Sequence, residues 1–194
     1  MITFTKMHGL GNDFIIIDRI FSRSVSLTYF VLKACNRYRG IGADGVIFVL
    51  PSEKETAKMR IFNSDGSEAE MCGNGIRCLA KYIYDRGMVK EKKFAIETMA
   101  GLIVTEIIEE KGNITEILVD MGEPAFKEIF QPLEVEDKTF YFTSVSTGPP
   151  HAVIFDIPED WEEKGRKIEI NPVFPGKTNV DFVHIINKHE ASVK

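Results

Sequence analysis

The sequence predicts an α+β fold in two lobes. Short β-branched segments separated by Gly, Asn or Asp turns outnumber two stretches of helical period, and the pattern restarts past Met121. Ile2–Met7, Phe14–Asp18, Val46–Leu50, Lys58–Phe62, Phe94–Thr98, Leu102–Ile108 and Ile114–Asp120 read as strands. The joints Met99-Ala100-Gly101 and Lys111-Gly112-Asn113 are of hairpin size, which predicts an antiparallel meander for the last three. Leu27–Tyr38, with Ser26 as N-cap, and Gly73–Arg86, ended by Gly87, carry the helical period. Ile76, Leu79, Ala80 and Ile83 share one face of the second helix, which suits burial within a curved sheet.

Beyond Met121, Glu123-Pro124 and Gln131-Pro132 break the chain. Strands follow at Phe140–Ser146, Ala152–Asp156 and Val180–Ile186, with a short exposed helix or turn over Glu159–Lys167 that carries the only tryptophan. No second helix comparable to Gly73–Arg86 is evident there.

Composition bounds the function. Across 194 residues, 44% are hydrophobic and 27% charged, the proportions of an ordinary globular protein. The net charge of −5 and the scattered basic residues give no electrostatic footprint for nucleic acid or an anionic membrane surface. No stretch approaches the roughly 20 apolar residues of a membrane span, and no signal peptide opens the chain, which points to the cytoplasm. Three cysteines, an odd count without an export signal, point to free thiols.

The chemistry concentrates in Asn63–Cys78, the run NSDGSEAEMCGNGIRC. Cys72, Gly73 and Gly75 fall where a helix begins. There the first N–H groups lack intrahelical partners and the helix dipole favours negative charge, so a thiolate is stabilised and a carboxylate can be cradled. A base at Cys72 is the reading these neighbours support. Cys78, within the apolar helical pattern, and Cys35, late in the first helix, read as core. The six-residue gap between Cys72 and Cys78 does not match zinc-ligand spacing, so no metal is expected. Met7–Phe14, the run MHGLGNDF, presents Asn12 on a glycine-flanked turn, where its amide either grips an amino acid or satisfies the turn itself. Asn63, at a strand end before Ser64-Asp65-Gly66, has the same two readings.

Together HGLGNDF, RGIGADG, FNSDGSEAEMCGNGIRC, STGPPHAVIF and PGKTNVDFVHI, in this order and at these spacings, resemble the diaminopimelate epimerase family over nearly the whole chain. GNDF with MCGNGIRC is the specific part. The resemblance implies two pseudo-symmetric lobes, residues 1–117 and 118–194, each a curved, mainly antiparallel sheet wrapped around a central helix. It implies epimerisation of LL-diaminopimelate to the meso form by two cysteines, without cofactor or metal, on the way to lysine and peptidoglycan. It assigns Cys72 as one acid/base thiol, Gly73 and Asn74 as substrate-binding through the helix start, and Asn12, Asn63 and Asn179 as hydrogen-bonding partners of substrate. His151 matches a position that tunes the cysteine pair. His8, His184 and His189 read as structural or surface residues, and the expected partner is a small amino acid, with room for a homodimer.

Three departures stand out. Gly45 and Pro149 occupy positions where family members often carry a substrate-binding glutamine and asparagine. The family also continues with a glutamate-arginine-glycine segment and an alanine-cysteine-glycine-threonine-glycine helix start bearing the second thiol, and the sequence stops at Lys194 before either. The expectation is a truncated chain with an incomplete second lobe and exposed apolar surface, unable to epimerise by itself. The rival readings are another isomerase of the same fold, of the proline or hydroxyproline racemase or phenazine-biosynthesis type, and a catalytically incomplete binding or assembly module.

Overall fold

A strand that is apolar at every position needs cover on both faces, and Phe14–Ile17 and Val46–Val49 are such runs. The computed structural model, which describes residues 2–18 and 26–194, supplies that cover. It divides into two compact units, Met1–Met121 and Gly122–Lys194.

In the first unit β1 (Thr5–Gly9) and β2 (Asn12–Ile17) form an antiparallel hairpin, and α1 (Leu27–Cys35) crosses to β3 (Gly45–Leu50), parallel to β2. β4 (Ala57–Asn63) returns antiparallel to β3, and the short β5 (Glu68–Ala69) pairs with β4 and leads into α2 (Gly73–Asp85). β6 (Lys93–Thr98), β7 (Gly101–Glu110) and β8 (Asn113–Val119) are the expected antiparallel meander, joined to the rest through a parallel β4–β6 pairing. The sheet order is β1-β2-β3-β4-β6-β7-β8, with β5 beside β4.

Strand alternation sorts the side chains onto two helices. Ile15, Ile17, Val46 and Phe48 pack with Val31, Ala34 and Cys35 of α1. On the other face Phe14, Ile16, Ile47, Val49, Met59 and Ile61 pack with Ile76, Leu79, Ala80 and Ile83 of α2. Each fully buried Val, Leu, Ile, Phe or Met among them contributes about 1.5–3 kcal/mol. α2 touches both β1 and β8, the two ends of the sheet, so the sheet curls around it as the amphipathic pattern predicts.

The second unit contains β9 (Ala125–Phe126), β10 (Gln131–Val135), β11 (Lys138–Ser146), β12 (Pro150–Ile154), α3 (Trp161–Glu169), β13 (Asn179–Asn187) and β14 (Glu190–Val193). Its sheet runs β10-β11-β12-β13-β14, with β9 beside β11. All its pairings are antiparallel except β12 with β13, which α3 connects. Phe140, Phe142, Ala152, Ile154 and Phe182 pack against Ile168 of α3 on one face.

Several elements differ from the sequence expectation. The first helix stops at Cys35 rather than Tyr38, because Asn36 turns extended and its Oδ1 accepts the N–H groups of Tyr38 and Arg39. Gln131-Pro132 opens β10 instead of breaking the chain; a proline is tolerated there because β10 lies at the sheet edge. β5, β9 and β14 are too short or too polar to show in the pattern. The segment read as an exposed helix or turn is the helix α3, held by buried Ile168 and by Lys164, whose ammonium pairs with Glu136.

The RGIGADG motif is a helix-closing device. Ile41 and Gly42 donate to the Ala34 carbonyl at 2.9 Å, Ala43 donates to that of Cys35, and Gly40 donates to that of Asn36. A Cβ on Gly40 would lie 2.1 Å from the Lys33 carbonyl oxygen and 2.7 Å from that of Ala34, so no larger residue fits without opening the turn. Gly40→Ala is therefore expected to destabilise the chain by at least ~2 kcal/mol in urea unfolding. Gly176→Ala, where a Cβ meets nothing within 4 Å, should stay within ~0.5 kcal/mol of the parent.

Candidate active site

The start of α2 is pressed onto the sheet by a residue without a side chain. A Cβ on Gly75 would sit 2.9 Å from Ile61 Cδ1 and 3.2 Å from Ile47 Cδ1. The close approach fixes where the helix begins, and Cys72 becomes its N-cap with extended backbone. Cys72 Sγ accepts the Gly75 N–H at 3.4 Å, the bond that serine or aspartate oxygens make in this position. The Cys72 thiol in turn donates to Asn12 Oδ1 at 3.8 Å. Cys72 is half-buried, one flank against the α2 core. Among the described residues, the amides of Gly73 and Asn74 donate to no protein acceptor, leaving two N–H groups beside the sulfur at the positive end of the helix.

Asn12 is the first residue of β2, just past the tight Leu10-Gly11 turn, and its amide is not spent on that turn. Its Nδ2 donates to Asp44 Oδ2 at 3.0 Å. Asp44 Oδ2 also accepts the Asp13 N–H at 3.0 Å, and Asp44 Oδ1 accepts from Arg37 at 2.8 Å. Asp13 completes the cluster, taking Arg37 on both carboxylate oxygens and Lys6 at 3.0 Å. The hydrogen bonds from Arg37, helped by Lys6 and opposed by partial burial, hold the Asp13 carboxyl well below the usual carboxylate range.

Asn63 closes β4, and Ser64 beside it donates to the Asp44 carbonyl at 2.9 Å, so Asn63 and Asn12 are linked through Asp44. The Asn63 Nδ2 is engaged in its own turn with Ser67 Oγ at 3.0 Å. Its Oδ1 has no protein donor among the described residues. Asn74 Oδ1 accepts from Arg77 one turn along α2. In the second unit His151 and Asn179 stand opposite each other on β12 and β13. His151 Nδ1 lies 2.7 Å from Asp181 Oδ2, and Asn179 Nδ2 donates to the Pro150 carbonyl at 3.2 Å. A carboxylate can only accept, so Nδ1 carries the proton and Nε2 faces outward from the pair.

Sequence reasoning placed Cys72, Gly73, Asn74 and Asn12 in one neighbourhood, and the structure brings them together. It missed Asp44, Arg37, Arg77 and Asp181. Asp44, Arg77 and Asp181 lay inside motifs already singled out, RGIGADG, MCGNGIRC and PGKTNVDFVHI, and Arg37 alone lay outside them.

A family model described as diaminopimelate epimerase matches residues 4–127. A diaminopimelate epimerase of Caldanaerobacter subterraneus subsp. tengcongensis is 45% identical over 98% of this chain and 74% of its own length. One from Carboxydothermus hydrogenoformans is 46% identical over the same shares. The chain belongs to the diaminopimelate epimerase family. Among solved structures, a probable proline racemase from Agrobacterium radiobacter K84 superposes with a TM-score of 0.71, covering 100% of this chain and 69% of that one. At 15% identity that likeness concerns the fold alone. The two-lobed α+β architecture inferred from the motifs is thus the fold this epimerase family shares with distant isomerases, and the sequence relatives separate it from the racemase alternative.

The remaining thiols differ from Cys72 in reach. Cys35 and Cys78 are each 4% exposed, and burial pushes both thiols up to about 11. In the native chain one equivalent of iodoacetamide is therefore expected at pH 8, all of it on Cys72 by peptide mapping, rising to three equivalents in denaturant. Because an unfolded thiol ionises near 9, the folded state binds more protons between pH 9 and 11, and stability should fall as pH rises through that window. A melting temperature that holds steady up to pH 11 would contradict the burial assignment.

Proposed function

We propose that this chain binds one α-amino-acid end of diaminopimelate against the start of α2 and that Cys72 exchanges its α-proton. The observation carrying this reading is the Cys72 sulfur held at a helix start beside the acceptor-free amides of Gly73 and Asn74, within 3.8 Å of Asn12 Oδ1.

The chemistry runs as one proton transfer on each face of a carbon. A Cys72 thiolate takes the α-proton: the C–H bond breaks, the S–H bond forms, and the electron pair moves into the adjoining carboxylate. That carboxylate gains charge as the bond breaks, so amide donors placed to meet it stabilise the transition state more than the bound amino acid. The amides of Gly73 and Asn74 are suited to this. Asn12 Oδ1 and Asn63 Oδ1 are acceptors for the ammonium group. Inversion needs a second acid on the opposite face. Cys35 and Cys78 cannot serve, since each is walled into a core. For the second unit, the family resemblance makes Asn179 a substrate-binding residue and His151 a residue that tunes the thiol pair. No cofactor is invoked, since the amide donors at the helix start take the place of an electron sink.

Diaminopimelate at ten times its dissociation constant should slow Cys72 alkylation about ten-fold in the native chain, because occupied protein is shielded from the reagent. Proline at the same concentration should not. Protection by proline without protection by diaminopimelate would replace this reading with the racemase one.

With a single accessible thiol, the purified 194-residue chain is expected to bind LL-diaminopimelate without producing the meso isomer. Meso product that disappears on Cys72→Ser would disprove the need for a second thiol.

A further inference from the structure

An asparagine amide has two nearly isosteric ends, and which end faces a catalytic group decides what it can do. Asn12 is such a case. Its Oδ1 faces the Cys72 sulfur at 3.8 Å, where it can accept the S–H or a substrate ammonium but can do nothing for a thiolate. Turned by half a revolution, the same side chain would offer N–H to the sulfur and hold it as an anion.

The neighbour that sets the orientation is Asp44. Its carboxylate is acceptor-only, so the end of Asn12 that meets it, 3.0 Å away, must be the NH2 group. Asp44 cannot rotate to offer anything else, because it is itself pinned. Oδ2 also takes the Asp13 N–H at 3.0 Å, Oδ1 takes Arg37 at 2.8 Å, and the Asp44 N–H donates back to Asp13 Oδ1 at 3.1 Å. Arg37 in turn bridges to Asp13 at 2.6 Å. The charged side chains around this carboxylate are Asp13, Arg37 and Lys6: Arg37 pairs with both Asp44 and Asp13, and Lys6 pairs with Asp13 and donates to the Gly42 carbonyl.

We infer that Asp44 is a positioning residue: it locks the Asn12 amide so that the carbonyl oxygen, and not the nitrogen, faces Cys72 and the amino-acid site. The inference builds on the proposed role of Cys72 and Asn12, and it gives RGIGADG a second task beside closing α1. Asp44 touches neither substrate nor sulfur and acts only through Asn12. Without it the amide is free to turn, donate to the thiolate and withdraw the acceptor that the substrate ammonium requires.

The test is a double-mutant cycle read by the rate of Cys72 alkylation at pH 7, in the full 194-residue chain, with no substrate present. Asp44→Ala should raise the rate about five-fold, the factor one net hydrogen bond commonly makes. In an Asn12→Ala background the same change should leave the rate where it was, since the intermediary is gone. A merely structural role, in which losing Asp44 loosens the hairpin, would move the rate equally in both backgrounds, and that result overturns the inference, as does no change in either. Should Asp44→Ala fail to fold, Asp44→Asn does the same duty. An amide there can pair with either end of Asn12, so the rate should rise by a smaller factor with Asn12 present and not at all without it.

A second arm measures protection of Cys72 by diaminopimelate, which Asp44→Ala should weaken about ten-fold, consistent with loss of a charge-assisted contact. If wild-type chain is not protected by diaminopimelate, the proposed substrate fails while the substrate-free cycle still decides the role of Asp44.

Discussion

The contact between the first turn of α2 and the sheet beneath it controls the geometry of everything around Cys72. Gly75 lets the helix start sink onto Ile61 and Ile47, and a Cβ on Gly9 would stand 3.1 Å from the Asn74 carbonyl oxygen, so the β1–β2 hairpin closes on the same turn from the other side. The helix therefore cannot slide along its axis without colliding with one or the other. Its N-cap sulfur, two amides and the Asn12 side chain inherit that fixed frame. Core packing of Ile76, Leu79 and Ile83 supplies the energy, but the glycines decide where it is applied.

What was legible in the sequence is what is local. The 3.6-residue repeat of Ile76, Leu79, Ala80 and Ile83 and the glycines around Cys72 sit within one segment, so both the buried helix and the thiol at its start could be read from it. The orientation of Asn12 could not, because it depends on a carboxylate 32 residues away that only the parallel pairing of β2 with β3 brings alongside. The end of α1 was missed for a different reason. The apolar pattern continues to Tyr38, but Asn36 diverts its own side chain to the backbone and wins over helical period. β10 was missed because proline is read as a breaker until it is known that the strand lies at an edge.

The two units share a chain path. In each, an antiparallel pair is followed by a helix that crosses to a strand parallel to the second member, and then by an antiparallel return: β1, β2, α1, β3 and β4 in the first, β11, β12, α3, β13 and β14 in the second. By this path α3 is the counterpart of α1, not of α2. The registers extend the match to single residues. Phe14 faces Gly45 across β2 and β3 as His151 faces Asn179 across β12 and β13, which makes Pro149 the counterpart of Asn12 and Asn179 the counterpart of Gly45. Gly45 and Pro149 thus stand at the counterparts of Asn179 and Asn12, each unit keeping one amide side chain where the other has none.

The proline on β10 also bears on how the protein behaves in crowded solution. The outer side of a terminal strand is a template on which a stranger's backbone can be zipped, the first step towards fibrils and inclusion bodies. Pro132 removes a donor from that template, and Glu134, exposed two residues along, sets a charge beside the gap. This border of the second sheet is blunted against recruitment by neighbouring molecules.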